Sequence, residues 1–414
     1  METEIITIGD ELLIGQIADT NSQWVATIAS ENGFHINRIT SISDNLDTIL
    51  RTLREAANRS ALVFITGGLG PTNDDVTHRA ISEFFQTDWK LNQQVYEDIR
   101  QFLSKRGIEM SELNAEQAKV PVKADIYYNT IGTAPGMKLK GNNTIYIFMP
   151  GVQFEMTEML RNSIIPELKK QYIKEEFLYK IVITQGIPEA YLASKLKDWE
   201  RSLPENIDVA YLPSPGIVKL RISGKGDDFQ NIENKIDNSI ENLKKIIPEY
   251  YVATSKLPLE EILGETLKNH HSTISTAESC TGGTVAKRLT SISGSSNYFE
   301  GSVVAYSNKI KQQILGVSSD IINAYGAVSK EVVEEMAKGV QKLFGTDYAI
   351  SISGIAGPAG GTKDKPVGTT WIALSDGEEV IAEKYLFGNK RDVNIEKASN
   401  TAMGMIQKMI LKKS

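Results

Sequence analysis

The sequence predicts an α/β protein: two α/β sandwich domains with parallel or mixed sheets, joined by a small α+β domain. Three observations carry this. The chain has 414 residues, more than one hydrophobic core ordinarily serves. Strand and helix patterns alternate over 1–172 and again over 259–414. Between them, over 177–251, the order changes to strand, helix, hairpin and helix.

In the first segment, Glu4 to Ile8, Ala61 to Thr66 and Thr144 to Met149 are short apolar runs of the kind buried in a parallel sheet. Helical periodicity covers Thr20 to Asn32, Asn45 to Arg59, Asp75 to Phe85 and Gln93 to Arg106. In the middle segment Leu178 to Ile183 is a strand and Glu189 to Arg201 a helix. Ile207 to Leu212 and Val218 to Ser223 form a hairpin around Pro213-Ser-Pro-Gly216, and Asp228 to Ile247 is a long amphipathic helix. Residues 248–258, which include Pro248 and Pro258, read as a linker. Thereafter helix 259–269, strand Ser272 to Thr276 and helix Thr281 to Ser291 follow one another. Strand Gly301 to Tyr306, a short helix to Leu315, helix Ser329 to Phe344 and strand Tyr348 to Ser353 continue the pattern. Strands Gly368 to Leu374 and Val380 to Phe387 precede a last helix, Asp392 to Leu411.

Composition narrows the chemistry. A net charge of −7 disfavours a protein whose main task is coating nucleic acid. The single cysteine, Cys280, excludes an intramolecular disulfide and a Cys-rich zinc site, and fits a reducing cytoplasm. The first residues lack the basic and apolar regions of a signal peptide, and no apolar run is long enough to span a membrane. His35, His78, His270 and His271 are too scattered to build a metal site, so carboxylates would hold any metal.

Ligands of such sheets bind beyond the carboxyl ends of the strands. Two N-terminal clusters fall there. One is Gly9-Asp-Glu-Leu-Leu-Ile-Gly15 with Asp19-Thr-Asn21; the other is Thr66-Gly-Gly-Leu-Gly-Pro-Thr72 with Asp74-Asp75. Gly67, Gly68 and Gly70 allow close approach of a phosphate, and Thr72 offers donors to it. Asp74 and Asp75 would repel an anion unless a hard divalent cation stood between. A third loop, Asn129-Thr-Ile-Gly-Thr-Ala-Pro-Gly136, together with Pro150-Gly151, is expected to line the same pocket.

The densest C-terminal motif is Ala277-Glu-Ser-Cys-Thr-Gly-Gly283, at a strand-to-helix turn. Such a turn exposes a nucleophile and is expected to aim helix N–H groups at developing negative charge. Ser279 and Cys280 are both chemically eligible. A serine needs a base, and Tyr306-Ser-Asn-Lys-Ile-Lys311 offers two lysines at the same sheet edge, Lys309 and Lys311. Residue chemistry alone does not choose between them. Ser353-Gly-Ile-Ala-Gly-Pro358 and Gly360 to Gly368 form a glycine-rich loop able to supply backbone donors, with Lys365 as an added charge.

These residues resemble the CinA family. Gly9 to Leu13, Asp19 to Asn21, Thr66 to Thr72, Asp74-Asp75 and Asn129 to Gly136 are similar to its N-terminal domain, which has a molybdopterin-binding-like fold. That resemblance implies hydrolysis of ADP-ribose to AMP and ribose 5-phosphate with Mg²⁺, Co²⁺ or Mn²⁺. Asp10, Asp74 and Asp75 become metal candidates, and Gly67, Gly68, Gly70, Thr72, Asn129, Gly132 and Thr133 substrate-binding candidates. Residues 177–251 resemble the family's KH-like connecting domain but lack a Gly-x-x-Gly nucleotide clamp, since Gly224-Lys-Gly226 has the wrong spacing. A spacer or dimerisation role follows. Residues 259–414 resemble the family's amidohydrolase domain, which deamidates nicotinamide mononucleotide and needs no cofactor. The resemblance implies Ser279 as nucleophile, Lys311 as base, and Tyr306 and Ser353 as further catalytic residues. It implies substrate contacts from Glu278, Thr281, Gly282, Gly283, Gly354, Gly357 and Arg391. The expected partners are small nucleotide substrates and a second copy of the chain, with no nucleic acid and no membrane. Rival readings are an amidase with a non-catalytic N-terminal domain, a molybdopterin-handling enzyme, and a competence or recombination accessory without catalysis.

Overall fold

A computed structural model describes residues 1–70, 76–141, 143–173 and 176–413. The chain divides into two compact units, Met1–Phe177 with Lys225–Phe229, and Leu178–Gly224 with Gln230–Ser414.

The first unit is built on a six-stranded sheet ordered Ile36–Ile42, Thr3–Ile8, Leu62–Thr66, Thr144–Met149, Gly136–Gly141 and Asp125–Tyr127. The first four strands are parallel and the last two antiparallel. Strands Thr3–Ile8, Leu62–Thr66 and Thr144–Met149 are buried throughout, as expected where helices cover both faces. Alternate residues feed two cores. Ile5, Phe64 and Ile147 pack with Val25 and Ile28 of helix Thr20–Glu31. Ile6, Ile65 and Phe148 pack with Leu50 and Leu53 of helix Leu46–Ala57. The edge strand Ile36–Ile42 has no apolar run to announce it, because most of its residues are partly or fully exposed.

The second unit holds two sheets. One has four strands ordered Ile207–Ser214, Ile217–Gly226, Glu176–Gln185 and Tyr251–Thr254, with helices Glu189–Arg201 and Phe229–Ile246 supplying its core. The expected linker 248–258 is thus partly a strand. Tyr251–Thr254 pairs antiparallel with Glu176–Gln185, and Val252 is buried in the core. Burial of one apolar residue outweighs the proline signals on either side. The other sheet has five strands ordered Phe299–Val304, Ile274–Glu278, Tyr348–Gly354, Thr369–Ser375 and Val380–Leu386. Its first three strands are parallel and its last two antiparallel. Helix Arg391–Lys412 packs on one face through Ala402, Met403 and Ile406, and helix Lys330–Phe344 on the other through Val332, Met336 and Val340. Among the described residues no helix is long and apolar enough to cross a membrane.

Candidate active site

Parallel register brings the C-terminal motifs to one edge. Glu278 lies opposite both Val304 and Ile352, so Ser279, Ala305 and Ser353 leave the sheet at the same level. Ser279 is held there by its own amide, which donates to Ile352 O at 2.9 Å. Lys311 comes from the short helix Asn308–Gln313, whose start is capped by the Ser307 hydroxyl accepting from the Ile310 amide. Its Nζ lies 2.9 Å from Ser279 Oγ and donates to Ala305 O at 2.6 Å. Lys311 is 1% exposed and Ser279 8%. Burial pulls the Lys311 amine below its ordinary value. A neutral amine can accept a proton, and an ammonium cannot. Lys309, the competing lysine, is exposed to solvent. His270 and His271 sit at the opposite end of strand Ile274–Glu278, as the sequence implies.

Cys280 has a different environment. Its thiol belongs to the apolar core and is pushed up to about 12, by burial first and then by the Glu278 carboxylate. The charges of Lys311 and Arg391 pull the thiol down, but burial outweighs them and keeps it from being a low-pKa thiolate.

Glu278, expected to contact substrate, is committed elsewhere. It is fully buried, and its carboxylate accepts from the amides of Gly283 at 3.1 Å, Val285 at 3.1 Å and Ala286 at 2.8 Å. Those are the orphan donors at the start of helix Thr284–Thr290, and an acidic group there also suits the helix dipole. The expectation that this helix start faces the reacting centre is therefore corrected, because Glu278 consumes its donors. The amides of Cys280 and Thr281 make no hydrogen bond among the described residues. The Thr281 hydroxyl is likewise buried without a partner. Gly282 and Gly283 adopt φ of 62° and 95°, left-handed conformations that turn the chain from strand into helix.

The remaining predicted residues form a second tier. Tyr306 is exposed, and its hydroxyl accepts from Arg391 Nη2 at 3.1 Å. Arg391 Nη1 donates to Gly357 O at 3.1 Å, so one guanidinium joins the Tyr306 loop to the glycine-rich loop. Gly354 lies against Cys280 and Thr370. Ser353 does not meet Ser279; its hydroxyl, almost fully buried, donates to Ala327 O at 2.7 Å and ties the strand end to the segment before helix Lys330–Phe344. Lys365 donates to Tyr325 O at 2.6 Å, which anchors the far end of the glycine-rich loop. Asn394 was not legible as a site residue. Its Nδ2 donates to Ala356 O and Gly388 O, both at 2.9 Å, and holds that loop in shape. An amide at the buried start of the last helix is the signal that would have pointed to it.

At the N-terminal sheet edge the picture is looser. A Cβ on Gly67 would stand 2.1 Å from Ile8 O, so only glycine lets these two strand ends approach. Among the described residues, Gly68 packs against the buried Thr77 hydroxyl, which has no partner, and a Cβ on Gly70 would meet nothing. Asp10 is exposed, with Oδ1 accepting from the Asp44 amide at 3.4 Å. Asp44, absent from the sequence prediction, has its carboxyl raised by burial, then by the charges of Asp10 and Glu11. Thr72, Asp74 and Asp75 lie outside the described residues. Among the described residues no three His, Cys, Asp or Glu side chains gather to hold a metal ion. The charges of Asp10 and Glu11 reach Asp44, and carboxylates are hard oxygens of the kind Mg²⁺ prefers.

The Asn129–Gly136 loop does not share this pocket. A small strand-end cleft of about 150 Å³ is lined by Thr7, Asp19, Asn21, Thr66, Gly67 and Gly151. A separate cleft of about 500 Å³ is lined by Asn129, Ile131, Glu155 and Glu158. Asn129 builds its own loop, donating to Ala134 O and to Glu155 and accepting from the Ile131 amide. Gly132 packs on the same Glu155, and Thr133 is half-buried nearby. The single-pocket expectation fails because Asn129 folds inward.

Comparison with known proteins gives this geometry a family. Residues 256–410 match the model described as "CinA C-terminal domain". Residues 4–170 match "Probable molybdopterin binding domain", and 179–253 match "Damage-inducible protein CinA KH domain". A CinA-like protein of Cytophaga hutchinsonii is 42% identical over 407 residues, covering 98% of this chain and 97% of that protein. The chain belongs to the CinA family. A second CinA-like protein, from Flavobacterium psychrophilum, is 43% identical over 416 residues, 100% of this chain and 99% of the relative. The N-terminal part of this CinA chain has the molybdopterin-binding-like fold, and the KH match falls between its two larger domains.

Proposed function

We propose that the C-terminal domain is an amidohydrolase that converts nicotinamide mononucleotide to nicotinate mononucleotide and ammonia. The observation that carries this is the Lys311 amine, buried and held below its ordinary value, 2.9 Å from Ser279 Oγ. Neutral Lys311 takes the Ser279 proton as Oγ bonds to the carboxamide carbon. The oxyanion meets the amides of Cys280 and Thr281, the donors of the turn that nothing else occupies. The C–N bond breaks, and the Lys311 ammonium gives its proton to the leaving nitrogen, which departs as ammonia. Water then attacks the acyl-enzyme, losing a proton to Lys311, and Ser279 recovers that proton as it leaves. Arg391, fixed by Tyr306 and Gly357, is the cation suited to the substrate phosphate.

The N-terminal domain supports a second activity, hydrolysis of ADP-ribose to AMP and ribose 5-phosphate. The observation favouring it is the closeness of Asp10 to Asp44, whose amide donates to the Asp10 carboxylate beside Gly68. Asp10 and Asp44 would hold the divalent cation, which supplies charge neutralisation at the pyrophosphate and a more acidic bound water. A two-activity enzyme of pyridine nucleotide metabolism is the reading these two sites support together.

The test is an ammonia assay with nicotinamide mononucleotide, nicotinamide and glutamine, on the wild type and Ser279→Ala. Release from the mononucleotide alone, abolished by the substitution, is expected. Undiminished release by Ser279→Ala ends the proposal.

A further inference from the structure

A cleft of about 700 Å³ lies within the second unit, and neither Ser279 nor Lys311 lines it. That volume falls in the range of small-molecule sites. One wall is a face of helix Arg391–Lys412, where Lys397, Thr401, Lys408 and Lys412 recur at spacings that stack them on one side. Aromatic rings line the cleft too. Tyr385, near the end of the last strand, reaches Met405 of the same helix, its hydroxyl 3.3 Å from Sδ. It stacks on Phe387, just beyond the strand, with ring centroids 5.5 Å apart and an interplanar angle of 8°.

The polar groups of the cleft are only partly used. No carboxylate lies within ion-pair distance of Lys397, Lys408 or Lys412 among the described residues; Lys408 donates to the carbonyl of Glu249 at 2.9 Å instead. Three carboxylates line the cleft: Glu249 faces Lys195, Glu383 accepts from the Tyr385 hydroxyl, and Glu189 opens helix Glu189–Arg201. Thr401 is 4% exposed, lines the cleft, and its hydroxyl makes no hydrogen bond among the described residues. Burial, with Lys412 adding, holds the Lys408 ammonium below its ordinary value, a penalty that a bound anion would relieve. Stacked rings, with ammonium groups that no carboxylate pairs among the described residues and a hydroxyl facing the cleft, complement a planar heteroaromatic ring joined to a phosphate.

We propose that this cleft binds a nucleoside monophosphate at a site separate from both candidate catalytic edges, with the base against Tyr385 and Phe387 and the phosphate at Thr401, Lys408 and Lys397. The proposal stands on the cleft alone and does not need either activity.

The full chain is irradiated with 8-azido-AMP and the labelled peptides are mapped. Label on the segment carrying Tyr385 and Phe387 is expected. Excess AMP should suppress it at least about tenfold, while equal concentrations of adenosine or ribose 5-phosphate should not. Lys408→Gln and Thr401→Val should each reduce that label about tenfold, and the exposed Lys412→Gln should do so more weakly without touching packing. Label confined to other segments overturns the proposal. So does label at this segment that survives all three substitutions, or that adenosine competes as well as AMP.

Discussion

The two sheet edges make an instructive pair. Both end parallel strands, both carry glycine-rich turns, and both gather titratable groups. At the C-terminal edge one amine is enclosed, 1% exposed, with a serine and a carbonyl as its polar contacts. At the N-terminal edge burial, then the charges of Asp10 and Glu11, oppose ionisation of Asp44 near solvent. The first arrangement shifts an amine by removing water. The second stores unfavourable charge that a cation would relieve. Enclosure and repulsion are different ways of shifting a proton equilibrium, and they suit different chemistry.

Lys311→Met breaks the comparison most severely. Removing a positioned general base should cost about 10²–10⁴ in turnover. It should also stabilise the domain by roughly 1 kcal/mol in denaturant melts, since an enclosed amine gives way to an apolar side chain of similar size. The same amine predicts pH behaviour. Its folded value is lowered, so the unfolded chain binds more protons between that value and the ordinary 10.5. Stability and kcat/KM should therefore both rise with pH through the lowered value, read from melts and initial rates.

Glu278→Ala comes next. It strips three helix amides of their acceptor and should lower stability by about 2 kcal/mol in thermal melts. Arg391→Ala should raise KM for the mononucleotide about tenfold with little change in kcat, because the contact is made equally before and during reaction. The smallest effect is at the other edge. Asp44→Asn should stabilise by a few tenths of a kcal/mol at neutral pH, since the site is exposed and screened. That gain should vanish below the ordinary carboxylate value, 3.8, where Asp44 is protonated in both states.

Much of this was readable from periodicity. Helices Glu189–Arg201 and Leu259–Asn269 fall where apolar spacing puts them. Strand Ile36–Ile42 escaped because an edge strand need not be apolar, and Tyr251–Thr254 escaped because its prolines suggested a break. At the site, motif spacing brought Ser279 and Lys311 to the same neighbourhood but left two lysines open; only burial distinguishes them. Glu278 and Asn129 were misread for one reason. A polar residue beside a glycine-rich turn looks like a ligand contact, yet both are spent on backbone amides or carbonyls of their own turns. Sequence shows which groups are present, while the fold decides which remain unsatisfied.

The most direct test is chemical. Wild-type protein mixed with nicotinamide mononucleotide is acid-quenched within a turnover, digested, and its peptides weighed. An acyl ester on Ser279, absent when Lys311 is replaced by Met, is the predicted result. An adduct on Cys280, or full turnover by Ser279→Ala, would contradict the assignment of the buried lysine–serine pair as the reacting centre.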